Sequence, residues 1–303
     1  MDTIGATTMP PAWAVDTVPA AAPCSCALTA LAAAAEIAGS TIPMPKPAMK
    51  YAQPSTHTSG LTLVGGAGGN DAMAASTTGT GELIDQALDL GAKKIIVCLG
   101  GSATTDGGLG CVRAITAPHR LRGVQLLVAC DVQTLFADAA PVFAPQKGAS
   151  PAQVDMLRGR LERLAQMYQE QYGVDVRGLP GTGAAGGLAG GLVALGGKLL
   201  PGFDLVADEV DLHDHIAAAD LVLTGEGYLD EQSFEGKVVG GVQALCAEAG
   251  RPVAAIVGDS APEVRDRITH RSLAHEFGLQ RAMHEPLWCI EAAASSLLRH
   301  LFP

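Results

Sequence analysis

Positive charge is in short supply in this chain. Twenty Lys and Arg stand against 31 Asp and Glu, giving a formal net charge of −11. So acidic a chain lacks the basic footprint that nucleic-acid binding requires. Aromatic residues make up only 4% of the sequence, which leaves little material for base-stacking or carbohydrate platforms. Charged residues total 17% against 48% hydrophobic, the balance of a compact chain and not of a disordered one. Long apolar runs are also missing. The longest near the N-terminus, Cys24 to Gly39, contains Glu36 and is too short to span a bilayer, so no membrane partner is read. Met1-Asp2 opens without a basic region, and no secretory signal is read.

Paired metal-ligand cysteines are absent as well. Of seven cysteines only Cys24 and Cys26 lie close, as C-x-C, with no His/Cys pair beside them. The set reads as the reduced thiols of a cytoplasmic protein. Cys98, Cys111 and Cys130 stand among apolar neighbours, where cysteine behaves as a small hydrophobe. A Walker A loop is lacking too: Lys198 is followed by Leu199 and Lys237 by Val238, so the G-x-x-x-x-G-K-[ST] spacing fails at both. Nucleotide chemistry here is not of the P-loop kind.

The 303 residues suffice for one large domain or two. Residues 1–75 read as an atypical, Pro/Ala-rich segment, poorly packed or extended, with one helical run at Leu28–Ala38. Over 76–303 helix and strand patterns alternate. Gly81–Leu90 is predicted as an amphipathic helix closed by Gly91, and Ser150-Pro151 as the capped start of a long helix to Tyr172. Further helices are predicted over Gly186–Leu195, Lys237–Ala249 and Ile290–Leu301. Lys94–Leu99, Val124–Cys130, Ala219–Thr224 and Val253–Val257 are continuous apolar runs, predicted as strands buried on both faces. The expectation is an α/β fold, a largely parallel sheet flanked by helices, with ligands at the strands' carboxyl ends.

Three glycine-rich loops follow such strands or open helices. The first, Gly100-Gly101-Ser102-Ala103-Thr104-Thr105-Asp106-Gly107-Gly108, places bare backbone, hydroxyls and one acid after a strand. Asp106 reads as a general base or metal ligand, or as a turn aspartate bonded to nearby N–H groups. The second, Gly181-Thr182-Gly183-Ala184-Ala185-Gly186-Gly187, matches G-x-G-x-x-G without a good preceding strand. It reads as a phosphate-binding helix start or as close packing by small residues. The third, Thr224-Gly225-Glu226-Gly227-Tyr228-Leu229-Asp230, places two carboxylates where magnesium is conceivable, or where one caps a helix and one sits in a turn. Asp131 reads equally as ligand or cap, Lys147 and Lys237 as ligand-facing or solvated, and His213/His215 as a solvated pair.

Taken in order, these segments resemble the bacterial type-1 glycerate kinases. Ser76-Thr77-Thr78-Gly79-Thr80-Gly81-Glu82-Leu83-Ile84 is similar to the family's S-T-x-G-T-G-E-L-I, and residues 100–108 to its G-G-S-A-T-N-D-G-G. Ala129–Val132, Phe143–Ala149, Gly181–Gly187 and Leu223–Lys237 follow in the family's order. The resemblance implies a two-domain architecture, with two intertwined subdomains over 76–303. It also implies ATP- and magnesium-dependent phosphorylation of D-glycerate to phosphoglycerate, the 2-phospho product being favoured. Asp106 would orient or deprotonate the substrate hydroxyl, and Lys147 and Lys237 would offset charge. Gly100, Gly101, Ser102, Thr104, Gly181, Gly183, Gly186, Gly187, Thr224 and Gly225 would hold ATP, and Asp131, Glu226 and Asp230 would hold Mg2+. A homodimer is compatible with this reading. The chain departs from the family where D-S-F-K-G and A-D-G-G-E-G are absent from residues 1–75, and where Thr105, Thr78 and Tyr228 replace the usual Asn, Tyr and Arg. Two other readings stay open: a homologue that binds nucleotide or metabolite without turnover, and an NAD-dependent oxidoreductase built on Gly181–Gly186.

Overall fold

A computed structural model describes residues 60–301. The expected Leu28–Ala38 helix and the Cys24/Cys26 pair lie outside the described residues. Within them the α/β expectation holds, and the strands form two sheets. One has the order β1 (Lys94–Cys98), β2 (Gln125–Ala129), β3 (Lys198–Leu200); the other has β4 (Val222–Leu229), β5 (Val253–Ser260), β6 (His270–Ser272). Every pairing is parallel. Parallel neighbours need crossovers, and helices supply most of them. These are α1 (Thr78–Asp89), α2 (Leu109–Ala114), α3 (Ala139–Phe143), α4 (Pro151–Tyr172), α5 (Leu188–Ala194), α6 (Gly202–Glu209), α7 (Leu212–Ala218), α8 (Val238–Ala249), α9 (Leu273–Phe277), α10 (Leu279–His284) and α11 (Pro286–Leu301).

Local chemistry fixes the longest helix. Ser150 caps α4 in a reciprocal box: Gln153 N–H donates to Ser150 Oγ at 3.4 Å, and Ser150 N–H donates to Gln153 Oε1 at 2.8 Å. Pro151 occupies the first helical position and Gly173, at φ 72°, ends the helix. Leu157, Leu161, Leu164 and Tyr168, three or four residues apart, form the face that packs on Phe136 and Val112. Tyr168 anchors that face to the glycine loop, its hydroxyl donating to Gly107 O at 2.9 Å.

Two strand expectations need correction. β1 is an edge strand and not buried on both faces: Ile95 is buried while Ile96 is 37% exposed. β4 does not end at Thr224 but runs through Gly225-Glu226-Gly227 to Leu229. A Cβ on Gly225 would fall 2.3 Å from Ile256 O, so glycine lets β5 approach and the ladder continue. His213 and His215 lie exposed on α7, as expected. Among the described residues no helix is long and apolar enough to cross a membrane.

Candidate functional site

The loop after β1 begins open and ends enclosed. Gly100 and Gly101 are exposed, and Gly101 takes φ 62° with open space around it. Its carbonyl accepts from Leu61 N–H at 2.7 Å, and Ser102 bridges Gly60. From Ala103 the chain turns inward, leaving Thr104 and Thr105 at 1% and 2% exposure.

Asp106 knits the turn that follows. Its Oδ2 accepts from Thr77 N–H and Oγ1, both at 2.8 Å, and from Gly110 N–H at 3.2 Å; its Oδ1 accepts from Gly108 N–H at 3.1 Å. Thr77 in turn accepts from Cys111 N–H at 2.9 Å, so one carboxylate ties the start of α1 to the start of α2. Both oxygens of the Asp106 carboxylate thus accept hydrogen bonds from the loop and from Thr77. These bonds are the ones expected of a turn aspartate.

Lys147 lies against the same loop at 3% exposure. Its ammonium donates to Thr104 O at 2.7 Å and sits 5.9 Å from the centre of the Phe143 ring. Burial pulls its pKa down to about 8, against the opposing pull of Asp106. Asn70 holds the assembly together, its Nδ2 donating to Ala103 O at 2.9 Å and to Lys147 O at 2.8 Å. Two buried hydroxyls here, Thr104 Oγ1 and Thr105 Oγ1, have no hydrogen-bond partner. Buried polar atoms are nearly always paired, so two orphans beside a buried ammonium mark a place where an oxyanion would be welcome. A cavity of about 400 Å³ adjoins Thr105 and Asp106, floored by Leu157, Leu161 and Leu164, with Arg160 and Arg163 of α4 at its edge.

The second glycine loop packs against the first. A Cβ on Gly186 would fall 1.9 Å from Thr104 O, and one on Gly187 would fall 2.8 Å from Gly107 Cα. Gly183 N–H donates to Thr134 O at 2.9 Å, and Gly187 N–H donates to Gly183 O at 3.1 Å. A Cβ on Gly181 would meet Cys130 Sγ at 3.2 Å. The bareness of Gly181, Gly183, Gly186 and Gly187 thus permits two loops to touch, which is the close-packing alternative for this segment. The segment before them, Val174–Pro180, is not a strand, which removes the context a dinucleotide fingerprint needs.

The acids expected to hold metal divide. Asp131 Oδ1 accepts from Gly202 N–H at 2.7 Å and so caps α6. Asp230 Oδ1 accepts from Ser233 N–H at 3.1 Å in a capping box. In each, one carboxylate oxygen is engaged at the start of a helix or turn. Glu226 differs: its Oε1 is buried without a partner, and burial raises its carboxyl pKa, with Ser233 and Lys237 pulling the other way. Among the described residues no cluster of three or more His, Cys, Asp or Glu is placed to hold a metal. Magnesium asks less of a protein, taking one or two carboxylates alongside substrate phosphates and water. Thr224 is buried beside Glu226 in β4, Gly225 serves strand packing, and Lys237 is exposed, 3.5 Å from Gln232 Oε1.

Several contributors were not singled out from sequence. Asn70 stands in a glycine-rich stretch that matches no motif, and nothing local marks it. Thr77, inside a recognised segment, carried a usable signal: a hydroxyl before a helix.

Comparison with known proteins gives the family. The profile of the Glycerate kinase family matches residues 54–119 and 116–301. The chain is 39% identical over 238 residues to the glycerate 2-kinase of Escherichia coli, covering 68% of this chain and 62% of that protein. It is 39% identical over 215 residues to the glycerate kinase of Halalkalibacterium halodurans, covering 60% and 57%. An uncharacterized protein of Mycobacterium tuberculosis is 42% identical over 207 residues, covering 66% and 54%. The crystal structure of a putative glycerate kinase 2 from Salmonella typhimurium superimposes with a TM-score of 0.64 at 32% identity, over 81% of this chain and 74% of that one. The chain thus spans between 54% and 62% of the length of these curated relatives.

Proposed function

The chain belongs to the glycerate kinase family, and on that premise we propose that it transfers the γ-phosphoryl group of ATP to a hydroxyl of D-glycerate, giving 2-phosphoglycerate. The observation that carries this reading is the buried Lys147 ammonium beside the orphaned hydroxyls of Thr104 and Thr105. Phosphoryl transfer asks a protein mainly for positioning and neutralisation of spreading negative charge. Lys147 has donors to spare for an equatorial phosphoryl oxygen, and the two hydroxyls add neutral ones. The exposed backbone of Gly100 and Gly101, with half-buried Ser102 next in the chain, gives the nucleotide a second set of contacts.

Asp106 acts here as a positioning residue. A loose transition state needs little base, and the hydrogen bonds to Asp106 fix the turn that directly follows Thr104 and Thr105. Arg160 and Arg163, at the edge of the adjoining cavity, suit the carboxylate of glycerate. Glu226 would hold magnesium through its unpartnered Oε1, with Asp230 beside it. When bound, the ion screens the phosphates' charge. The free described cysteines suit a cytoplasmic setting.

The test is the purified full chain with D-glycerate, ATP and magnesium. Glycerate-dependent ADP release is expected, and phosphorus NMR should show the 2-phospho ester. ADP release no greater than in glycerate-free controls would overturn the reading. A 3-phospho product would overturn its regiochemistry.

A further inference from the structure

A second cavity, of about 440 Å³, opens at the carboxyl ends of β5 and β6, and nothing in the phosphoryl-transfer reading uses it. Its lining includes Ser260, His270, Arg265 and Arg271 together with the carboxylates of Asp259 and Glu276. His270 Nδ1 lies 3.0 Å from Ile268 O. A carbonyl only accepts, so Nδ1 carries the proton and Nε2 of the neutral ring is left as an acceptor. That Nε2 lies 3.1 Å from Ser260 Oγ, whose hydroxyl therefore donates to it. Nucleophile, base and a group that orients the base are in hydrogen-bond sequence, the arrangement that activates serine.

The surroundings fix the nucleophile and restrict its substrate. Asp259 Oδ1 accepts from Ser260 N–H at 2.8 Å and from Ser272 Oγ at 2.9 Å, holding the strand end in place. Ala261 N–H is engaged by Leu229 O at 2.9 Å. With both neighbouring N–H groups occupied, the backbone there offers no oxyanion hole. Stabilisation of a developing oxyanion falls to the cations of the cavity. Arg271 is paired with Glu276 at 3.3 Å, whereas Arg265 makes no ion pair among the described residues. Asp259 and Glu276 line the same cavity, Asp259 engaged by Ser260 N–H and Ser272 Oγ and Glu276 by Arg271. Arg265 is thus the cation there without an ion pair among the described residues, and a cation beside a nucleophile favours anionic electrophiles.

We propose that Ser260 is a nucleophilic serine, activated by His270, that accepts acyl groups from small esters bearing a second, anionic group. Ser260 Oγ attacks the ester carbonyl carbon while its proton passes to His270 Nε2. The bond to the alcohol oxygen breaks and the alcohol leaves with that proton. Water then attacks the acyl-serine, passing one proton to His270. The acid departs, and His270 returns the proton to Ser260 Oγ. The balance is ester plus water giving acid plus alcohol, with no other reactant.

The full chain is mixed with 4-nitrophenyl hemisuccinate or 4-nitrophenyl acetate, and separately with a fluorophosphonate, and the modified peptide is located by mass spectrometry. A nitrophenolate burst faster with the hemisuccinate is expected, with both adducts on Ser260 of the unsubstituted chain. Ser260→Ala should abolish both adducts. His270→Gln should slow acylation about 100-fold, and Arg265→Ala should erase the preference for the anionic ester. Adducts on another residue, no burst, or His270→Gln acylating at the wild-type rate would each overturn the proposal. Labelling of the unsubstituted chain needs no variant to fold.

Discussion

Replacing Lys147 with methionine should change stability in a way that reverses with pH. The buried ammonium has its pKa lowered from 10.5 to about 8, a difference of ~2.5 units, or ~3 kcal/mol at about 1.4 kcal/mol per unit. Between pH 8 and pH 10.5 the unfolded chain holds the lysine proton and the folded chain does not. Stability from this group therefore rises with pH across that window and is lost as pH falls through 8. Methionine removes the titration but leaves Thr104 O without its donor, at a cost of about 1–3 kcal/mol. At pH 7 the two effects nearly offset, and Lys147→Met should lie within about 2 kcal/mol of wild type. By pH 10 the wild type should have gained ~2–3 kcal/mol on the variant. Cys111, raised to about 12, and Cys246, raised to about 11, lose stability as pH rises above their ordinary values. Both chains share those thiols, so they cancel in the difference. Urea denaturation of both proteins at half-unit steps from pH 7 to pH 10 reads that difference. A flat difference would refute the burial argument. Glycerate-dependent ADP release should meanwhile fall at least about 100-fold in the variant, as for loss of one oxyanion donor.

Gly186→Ala should destabilise the fold by more than about 3 kcal/mol, because its Cβ would meet the Thr104 carbonyl at 1.9 Å and φ is 67°. Gly178→Ala, with open space around it, should be neutral in the same thermal denaturation, and equal melting points would refute the loop-contact account. Glu226→Gln should raise the magnesium concentration for half-maximal rate about tenfold with no loss of stability. Burial raises the folded pKa of Glu226, so its ionised form costs stability as pH rises through that value. A variant with unchanged magnesium dependence would remove Glu226 from the metal reading. Asp106→Asn should cost at least about 2 kcal/mol, since an amide can accept through one oxygen where a carboxylate serves Thr77, Gly108 and Gly110 through two. A variant of wild-type stability with abolished turnover would restore Asp106 as a base.

What could be read from the sequence was whatever short-range chemistry decides. Ser150, Pro151 and Gln153 specify the start of α4 within four positions, and they form the expected cap. β1 and β2 are apolar enough to declare themselves, though edge position is not a property of a strand's own residues. β6 consists of His270-Arg271-Ser272, polar throughout, and exists because Val257 and its neighbours in β5 pair with it. β4 was expected to stop at glycine, since glycine weakens isolated strands. Its continuation depends on β5 lying close enough to need glycine, a fact about a partner some thirty residues away.

The site obeys the same division. Glycine and carboxylate at a strand end announce that backbone and charge are wanted there, without saying whether a ligand or the protein wants them. At Gly186, Gly183, Asp131 and Asp230 the protein itself has a use for them: each is matched by a carbonyl contact, a cap or a neighbouring loop. The ligand's share consists of what folding leaves unmatched. Thr104 Oγ1, Thr105 Oγ1 and Glu226 Oε1 are buried and unpaired, and Lys147 holds a charge the interior disfavours. Desolvation makes each of these costly to the fold alone. In the proposed reaction a phosphoryl group would satisfy Lys147, Thr104 and Thr105, and a magnesium ion Glu226, so the groups most costly to the fold alone are the ones the proposal assigns to substrates.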